Sequence, residues 1–515
     1  MRIGIDLRCI PEDTSQLTGV SNYALMLTKY LLRLETSHHF VLFVRRSLRG
    51  VPSGGEGRRG NPMAREIASL LSVARNDAEV VRLPDRIPFY DSHIRAARII
   101  RGQNLDIFHG PAYTLPLFLK SDSNTRIHPN VSNAKDSNSS RSKYSSHSSV
   151  NSRHSSRLVI TIHDLAIYKH PEWFPEGQWF STKFLVPRSI KKADRIIVPS
   201  QSTKKDLMEL FQVSSFKISV VSLGVEERFM KHETHNMKHA SSFKFQVSKP
   251  YILFVGTLES RKNIARLIKA YSQLPQELIE KYDLVIAGGK GWKYEDIYQT
   301  AREHCHCEES DLGRTTKQSH GTAARPVGTR PFDTAQGDLE RSRNGRSDKK
   351  GKVVFTGPVS SDQLPSLYQN AALFVFPSLY EGFGLPVLEA MAAGIPVITG
   401  NISSLPEVVG SDSNTRMHPN VTNKVNLNSN HSRVNSRHSS RSKCAMLVNP
   451  YNVSEISEAM KQILFTPYGA AGRSGLDKTE AHRLAKSGVK RARQFTWEKT
   501  AKLTLEVYER IIQTH

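Results

Sequence analysis

Short apolar runs rich in Val and Ile recur along the chain, each five to eight residues long. The first series reads RIGID (2–6), HFVLFV (39–44), LDIFHG (105–110), LVITIHD (158–164), RIIVPS (195–200) and KISVVSLG (217–224). A second follows: YILFVG (251–256), DLVIAGG (283–289), KVVFTG (352–357), ALFVFPS (372–378) and IPVITG (395–400). Helical segments lie between the runs. Strands that are apolar throughout are buried on both faces, so the alternation predicts α/β domains with parallel sheets covered by helices. Two series predict two such domains, 1–225 and 249–495, joined by a polar linker over 226–248. At the far end, TWEKTAKLTLEVYERII sets Leu503, Val507, Tyr508 and Ile511 at helical spacing behind a Thr496 N-cap, predicting a closing helix within 496–515.

A length of 515 residues agrees with two or three domains. The formal charge of +24 points first to an anionic partner such as nucleic acid or a membrane surface. Its distribution changes that picture. Three polar segments, 121–157, 311–351 and 411–441, each carry a net +4, together half of the total. Two of them are copies: SDSNTRIHPNVSN begins at Ser121 and SDSNTRMHPNVTN at Ser411, and both run on to an identical VNSRHSSR. The Ser, Asn and Arg bias cannot repay the entropy of ordering, so all three read as insertions in surface loops. The remainder is moderately basic, which suits phosphate-bearing small molecules. No basic stripe with interleaved aromatics marks a nucleic-acid face, and no specific nucleic-acid partner is expected.

Cys9, Cys305, Cys307 and Cys444 are too sparse for a disulfide scaffold and indicate a reducing compartment. The CHC at 305–307 lacks a second Cys/His pair at ligand spacing, so no metal is assigned to it. MRIGIDLRCI is a buried-strand pattern and not a secretory leader, and no apolar run reaches 18 residues. The expectation is a cytoplasmic protein.

Candidate chemistry concentrates between Phe374 and Gly400, FVFPSLYEGFGLPVLEAMAAGIPVITG. A strand ends near Pro377, a Gly-containing loop follows, and Pro386 stands where a helix begins. This is a βαβ unit whose loop lies at the carboxyl end of the sheet, where ligands bind in such folds. The amides of Phe383, Gly384 and Leu385 at the helix N-terminus suit a diphosphate or sugar hydroxyls. Glu381 precedes that helix and Glu389 lies inside its first turns, so both carboxylates can face one pocket. A carboxylate accepts two hydrogen bonds from a vicinal diol. The plainer reading is a surface Glu on each side of a turn.

Arg261 and Lys262 in VGTLESRKN stand at the mouth of the strand YILFVG, where two cations can neutralise a diphosphate. Solvated cations at a helix start are the alternative, although that end of the helix dipole disfavours them. In LTGVSNYALMLTKYLLRL, Val20, Tyr23, Ala24, Leu27, Leu31 and Leu34 share a helical face, and Gly19 at the preceding turn lets backbone approach a phosphate. His163 and Asp164 end one strand and His109 another. A His at a strand end most simply makes a structural hydrogen bond. Tyr113 and Trp173 suit either core packing or an acceptor cleft.

EGFGLPVLE resembles the Glu-x7-Glu motif of retaining glycosyltransferases of family 4. TGVSNYA, DIFHGP, TIHDL, ADRIIVPS, VGTLESRKN and PSLYEGFGLPVLEAMAAGIPV occur in that family's order, over most of the chain outside the three insertions. The resemblance implies the GT-B fold, two facing Rossmann-like domains with an interdomain cleft. It implies that Glu389 holds the donor ribose, that Glu381 and His163 lie by the transferred sugar, and that Arg261 and Lys262 meet the diphosphate. His109 and Asp164 remain lesser candidates for the acceptor side. Many members have Gly-Arg where this chain has Gly256 and Thr257, which removes one phosphate contact and matches the family's GTLE branch. The implied reaction moves a hexosyl group, mannosyl favoured, from a nucleotide-diphosphate sugar to an acceptor hydroxyl. GDP-mannose leads, with UDP- or other nucleotide sugars behind it. The chain has no Asp-x-Asp motif, and no metal or other cofactor is expected. A lipid-linked or oligosaccharide acceptor and peripheral contact with an anionic membrane complete the expectation. Two rivals stand beside it: a catalytically impaired homologue, and a basic nucleic-acid or surface-binding protein acting through its repeats.

Overall fold

The computed structural model describes residues 1–11, 18–45, 70, 78–85, 87, 90–119, 156–177, 180–230, 249–309, 351–411, 442–465 and 480–513. The insertions, apart from their edges, and linker residues 231–248 lie outside the described residues. The chain divides into two compact units. Met1–Lys169, Glu176–Gly224 and Phe495–His515 form the first, and His170–Pro175 with Val225–Gln494 the second.

The first unit holds strands β1 (Arg2–Asp6), β2 (His39–Arg45), β3 (Ala78–Leu83), β4 (Ile107–Gly110), β5 (Arg157–Thr161), β6 (Arg195–Val198) and β7 (Ile218–Val220). All pair parallel in the order β3-β2-β1-β4-β5-β6-β7. The second unit holds β8 (Tyr251–Val255), β9 (Asp283–Ala287), β10 (His306–Glu309), β11 (Lys352–Gly357), β12 (Leu373–Phe376), β13 (Val397–Gly400) and β14 (Met446–Val448), again all parallel, ordered β10-β11-β9-β8-β12-β13-β14.

The eleven apolar runs of the sequence become eleven of these strands, and the other three are β3, β10 and β14. Each of the three is an edge strand. An edge strand has one neighbour and an incompletely covered face, so its sequence is mixed or short. AEVVRL and HCEE alternate with charge, and MLV spans only three residues. His306 opens β10 while Cys305 ends the preceding helix Glu295–His304 and is buried, so CHC is a helix-to-strand junction. Arg157, grouped with the first polar insertion, instead opens β5 and pairs with Asp106's neighbour Ile107 in register, while Ser156 beside it is buried.

The Gly19–Leu31 helix starts at Thr18, whose hydroxyl accepts the Ser21 N–H at 3.3 Å. Burial extends beyond the predicted face to Leu25, Met26 and Thr28. The closing helix is Trp497–Gln513, with the Thr496 hydroxyl accepting the Lys499 N–H at 3.2 Å. Its buried residues are Trp497, Thr500, Ala501, Thr504, Leu505, Val507, Tyr508 and Ile511, so the buried stripe includes the expected Val507, Tyr508 and Ile511 and is wider than expected, while Leu503 is half-buried. Two threonines take inward positions because their hydroxyls find carbonyls: Thr500 donates to Ser222 O and Thr504 to Thr500 O, each at 2.8 Å. A Cβ on Gly224 would lie 2.2 Å from Trp497 N, so glycine permits this backbone contact. The helix therefore belongs to the first unit although it follows the second in sequence.

Strand order reverses between β1 and β4 and again between β8 and β12. In open parallel sheets the crevice at the carboxyl ends of such a pair is where ligands bind. The two loops singled out from sequence, VGTLESRKN and PSLYEGFGLP, leave β8 and β12 at that crevice.

Candidate active site

In the second unit the two loops are stitched together by backbone. Leu379 N donates to Arg261 O at 2.8 Å, and the Asn263 amide donates to Pro377 O at 2.9 Å and Pro450 O at 2.6 Å. Asn263 has φ +61°, a left-handed conformation that Asn tolerates better than most residues and that turns the Ser260–Lys262 segment into the next helix. This turn delivers Arg261 and Lys262 beside Glu381. Lys262 Nζ lies 2.5 Å from Glu381 Oε1 and Arg261 Nη1 3.3 Å from Oε2, while Arg261 Nε lies 2.8 Å from Glu259 Oε1. Ser378 donates to Glu381 Oε1 at 2.7 Å. Lys262 also sits over the Phe376 ring, 5.1 Å from its centroid.

The Lys262 and Glu381 side chains are 8% and 9% exposed, so their pairing is felt in a low dielectric. Burial alone would raise the Glu381 carboxyl, but Lys262 and then Arg261 outweigh it and hold it below the ordinary carboxylate value. Burial and the neighbouring guanidinium push the Lys262 ammonium down, against the pull of Glu381 and Glu259. Two cations thus converge on one ionised carboxylate, leaving a local positive excess balanced by Glu259.

The EGFG loop is held from β13's far end. Ser403 and Ser404 hydroxyls both donate to Glu381 O, at 2.7 and 2.9 Å, and Ser404 also reaches Phe383 O at 2.8 Å. Gly384 begins the Leu385–Ala392 helix at φ +109°, and a Cβ there would lie 2.8 Å from the Leu405 side chain, so both conformation and space call for glycine. Phe383 and Gly384 are buried and Leu385 is half-buried at this helix start.

Glu389 belongs to the same helix but to a different set of partners. Its Oε2 accepts the Tyr368 hydroxyl at 2.8 Å. Burial raises the Glu389 carboxyl to about 7, with Glu226 adding to the shift and the Tyr368 bond and Arg228 opposing it. Arg228 pairs with Glu226 at 2.7 Å and donates to Ser361 O at 2.9 Å. The two glutamates expected to face one pocket share no hydrogen-bond partner among the described residues: one is clamped and ionised, the other is poised near neutrality.

In the first unit His163 follows β5, and its Nε2 lies 2.7 Å from Pro111 O. A carbonyl only accepts, and burial holds the imidazole below its ordinary pKa, so the proton is on Nε2 and Nδ1 presents a lone pair. Tyr23 and Tyr113 pack edge-on against the ring, at 4.7 and 5.4 Å between centroids. His109 is wholly buried, between Tyr508 Oη at 2.6 Å and Thr161 Oγ1 at 2.8 Å, and burial drives its pKa down to about 3. This removes His109 from the acceptor-side candidates and agrees with the plainer reading: it is a neutral structural residue tying the closing helix to β4 and β5. Asp164 accepts the Ala166 N–H at 3.2 Å and starts a short helical turn. Gly19 is exposed, with nothing within 4 Å of a Cβ built on it, and its preceding loop, 12–17, lies outside the described residues. Trp173 stacks on His170 at 3.9 Å within the second unit.

The profile of the Glycosyl transferases group 1 family matches residues 237–311 and 342–428, and that of Glycosyltransferase Family 4 matches 141–229. The first match contains both switch-point loops. Over these stretches the chain is similar to the group 1 glycosyltransferases. The chain is 29% identical over 255 residues to O-antigen chain mannosyltransferase B of Escherichia coli, covering 49% of the chain and 55% of the relative. It is also 29% identical over 365 residues to the serotype-specific mannosyltransferase WbdA of the same organism, covering 70% of the chain and 34% of the relative. The chain thus spans about half the length of the first relative and a third of the second. Its fold is shared with sucrose-phosphate synthase of Thermosynechococcus elongatus, at TM-score 0.56, 16% identity and full coverage of both chains. The Anabaena HepE structure with UDP and glucose superposes at TM-score 0.55, 14% identity and 99% coverage of each. The two parallel-sheet units are those of the GT-B fold.

Sequence reasoning overlooked Glu259, Ser378, Ser403, Ser404, Tyr368, Glu226 and Arg228. Asn263 was quoted in RKN without a role. Glu259 lies in VGTLESRKN and Ser378 in PSLYEG, so both are local to the motifs; Ser403, Ser404, Tyr368, Glu226 and Arg228 come from other segments that no local spacing connects.

Proposed function

We propose that the protein transfers a hexosyl group, mannosyl favoured, from a nucleotide-diphosphate sugar to an acceptor hydroxyl with retention, in the assembly of cell-surface polysaccharide or glycolipid. The observation that carries this reading is the convergence of Lys262 and Arg261 on Glu381 at the β8/β12 switch point. Two cations fixed at the carboxyl end of a parallel sheet suit a diphosphate, and their charge stabilises what develops on the leaving group as the glycosidic bond breaks. Glu389, eight residues beyond Glu381, accepts from the donor's ribose diol. The similarity to O-antigen mannosyltransferases supports mannose and favours GDP-mannose as donor.

In the step proposed, the bond from the anomeric carbon to the diphosphate oxygen breaks while the acceptor oxygen joins the same face. The acceptor proton passes to the departing phosphate oxygen, so no enzymic nucleophile is required. His163 Nδ1 accepts from a hydroxyl of the transferred sugar. The acceptor is a lipid-linked or oligosaccharide precursor, and the basic surface supports work at the inner face of an anionic membrane. No helix among the described residues is long and apolar enough to cross one.

A panel of nucleotide sugars, scored by thermal shift and by turnover, tests the proposal. GDP-mannose should raise the melting temperature through mass action, and Lys262→Ala should abolish turnover. Absence of a shift with every donor would overturn it.

A further inference from the structure

Resting on the reading of Glu389 as the ribose ligand, we propose that Tyr368 is a positioning residue for donor binding, its hydroxyl fixing Glu389 Oε2 so that Oε1 is presented to the donor's diol. Tyr368 lies on the Leu364–Gln369 helix, and its ring is wholly buried. Phe229 packs edge-on at 5.8 Å and Phe374 is tilted against it at 5.4 Å between centroids. The ring is thus held by packing from two other segments, and its hydroxyl is a fixed point. From that point it donates to Glu389 Oε2 at 2.8 Å. A glutamate side chain has three soft torsions, and a diol requires its acceptor in one direction. Pinning one carboxylate oxygen to a rigid phenol supplies that direction before the donor arrives.

The groups facing Glu389 are few. Tyr368 comes from its helix, and Glu226 and Arg228 from the segment around the Glu227–Phe229 turn. Arg228 is engaged with Glu226 at 2.7 Å, so the phenol is the neutral donor that touches Glu389 directly. Burial and the adjacent Glu389 keep the Tyr368 hydroxyl protonated well above its ordinary range. A donated hydrogen bond favours the ionised carboxylate, so removing it makes Glu389 harder to ionise. A purely structural Tyr368 would be indifferent to losing its hydroxyl, because phenylalanine keeps the ring and its contacts.

The experiment titrates the full-length protein with GDP and with UDP between pH 6 and 9, for wild type, Tyr368→Phe and Glu389→Gln, with thermal unfolding as the check on folding. Tyr368→Phe should weaken nucleotide binding about tenfold at pH 7, the loss of one charge-assisted hydrogen bond. Its acid limb should move to higher pH, and a part of the loss should persist at pH 9, where Glu389 is ionised in both proteins and only its orientation differs. In turnover KM for the donor should carry the loss, and kcat should change little. Glu389→Gln should bind weakly at every pH with no limb. Weak binding by Glu389→Gln beside an unshifted, wild-type profile for Tyr368→Phe overturns the positioning role alone. Wild-type binding by Glu389→Gln, or no binding of either nucleotide by wild type, overturns the reading beneath it.

Discussion

Lys262 Nζ and Glu381 Oε1 lie 2.5 Å apart with both side chains under a tenth exposed. Removing either charge singly leaves the other less compensated in a low dielectric. Lys262→Met should therefore lower stability by roughly 3 to 5 kcal/mol, although Arg261 remains on Oε2 and moderates the loss. The double variant Lys262→Met/Glu381→Gln should recover a large part of it, because no unpaired ion is left. Urea denaturation of the two single variants and the double variant measures the coupling. Additive losses would show that the pair is not held as described.

The same pair sets an acid limit. Glu381 is held below the ordinary carboxylate value in the folded protein, so its contribution is present above the unfolded pKa of about 4.3. It is lost as pH falls through the lower, folded value. Glu389 works in the opposite sense. Its folded pKa of about 7 stands above the unfolded value. The stability linked to it is present at acid pH and lost as pH rises towards 7. Glu389→Gln should remove that decline, giving a urea midpoint that is flatter than wild type between pH 5 and 7.5. An unchanged slope in the variant would mean that Glu389 titrates normally.

At His163 the tautomer makes a prediction that a simple deletion would miss. Glutamine can place its amide nitrogen near Nε2 and keep the bond to Pro111 O, but it has no acceptor at the Nδ1 position. His163→Gln should thus keep the wild-type melting temperature while donor turnover falls on the order of tenfold to a hundredfold. His163→Ala should lose both, with stability down by about 1 kcal/mol. Equal stability losses in the two variants would contradict the assigned hydrogen bond. Turnover that survives in His163→Gln would remove the residue from the site.

Much of this architecture was legible because parallel strands buried on both faces write themselves as apolar runs. RIGID and YILFVG needed no structure to place them. AEVVRL and HCEE were not legible, since an edge strand has no such requirement, and MLV was too short to stand out. The site divides similarly. Arg261, Lys262, Glu381 and Glu389 are carried by two short motifs in loops that leave neighbouring strands. Their partners are contributed by proximity alone: Tyr368 reaches Glu389 across 21 residues of sequence, and Ser403 and Ser404 reach Glu381 O from beyond β13. His109 follows the plainer expectation for a strand-end histidine, a structural hydrogen bond, but its partner Tyr508 lies 399 residues away and could not be named from local sequence.

The repeated segments at Ser121 and Ser411 provide the last test, because they decide between an enzyme and a basic binding protein. Both copies break the chain between strands, the first ahead of β5 and the second ahead of β14, and neither contains a residue of the site. Closure entropy grows only as about 1.5 RT ln n with loop length, so the fold carries them at little thermodynamic cost. Replacing 121–155 and 412–440 with short Gly/Ser linkers should leave nucleotide affinity and donor turnover within about twofold of wild type. The same change should abolish any salt-dependent retention on heparin or DNA that the repeats contribute, since the replaced residues hold a quarter of the net charge. If turnover falls with them while the fold persists, the repeats act on the site, and they cannot be read as passengers.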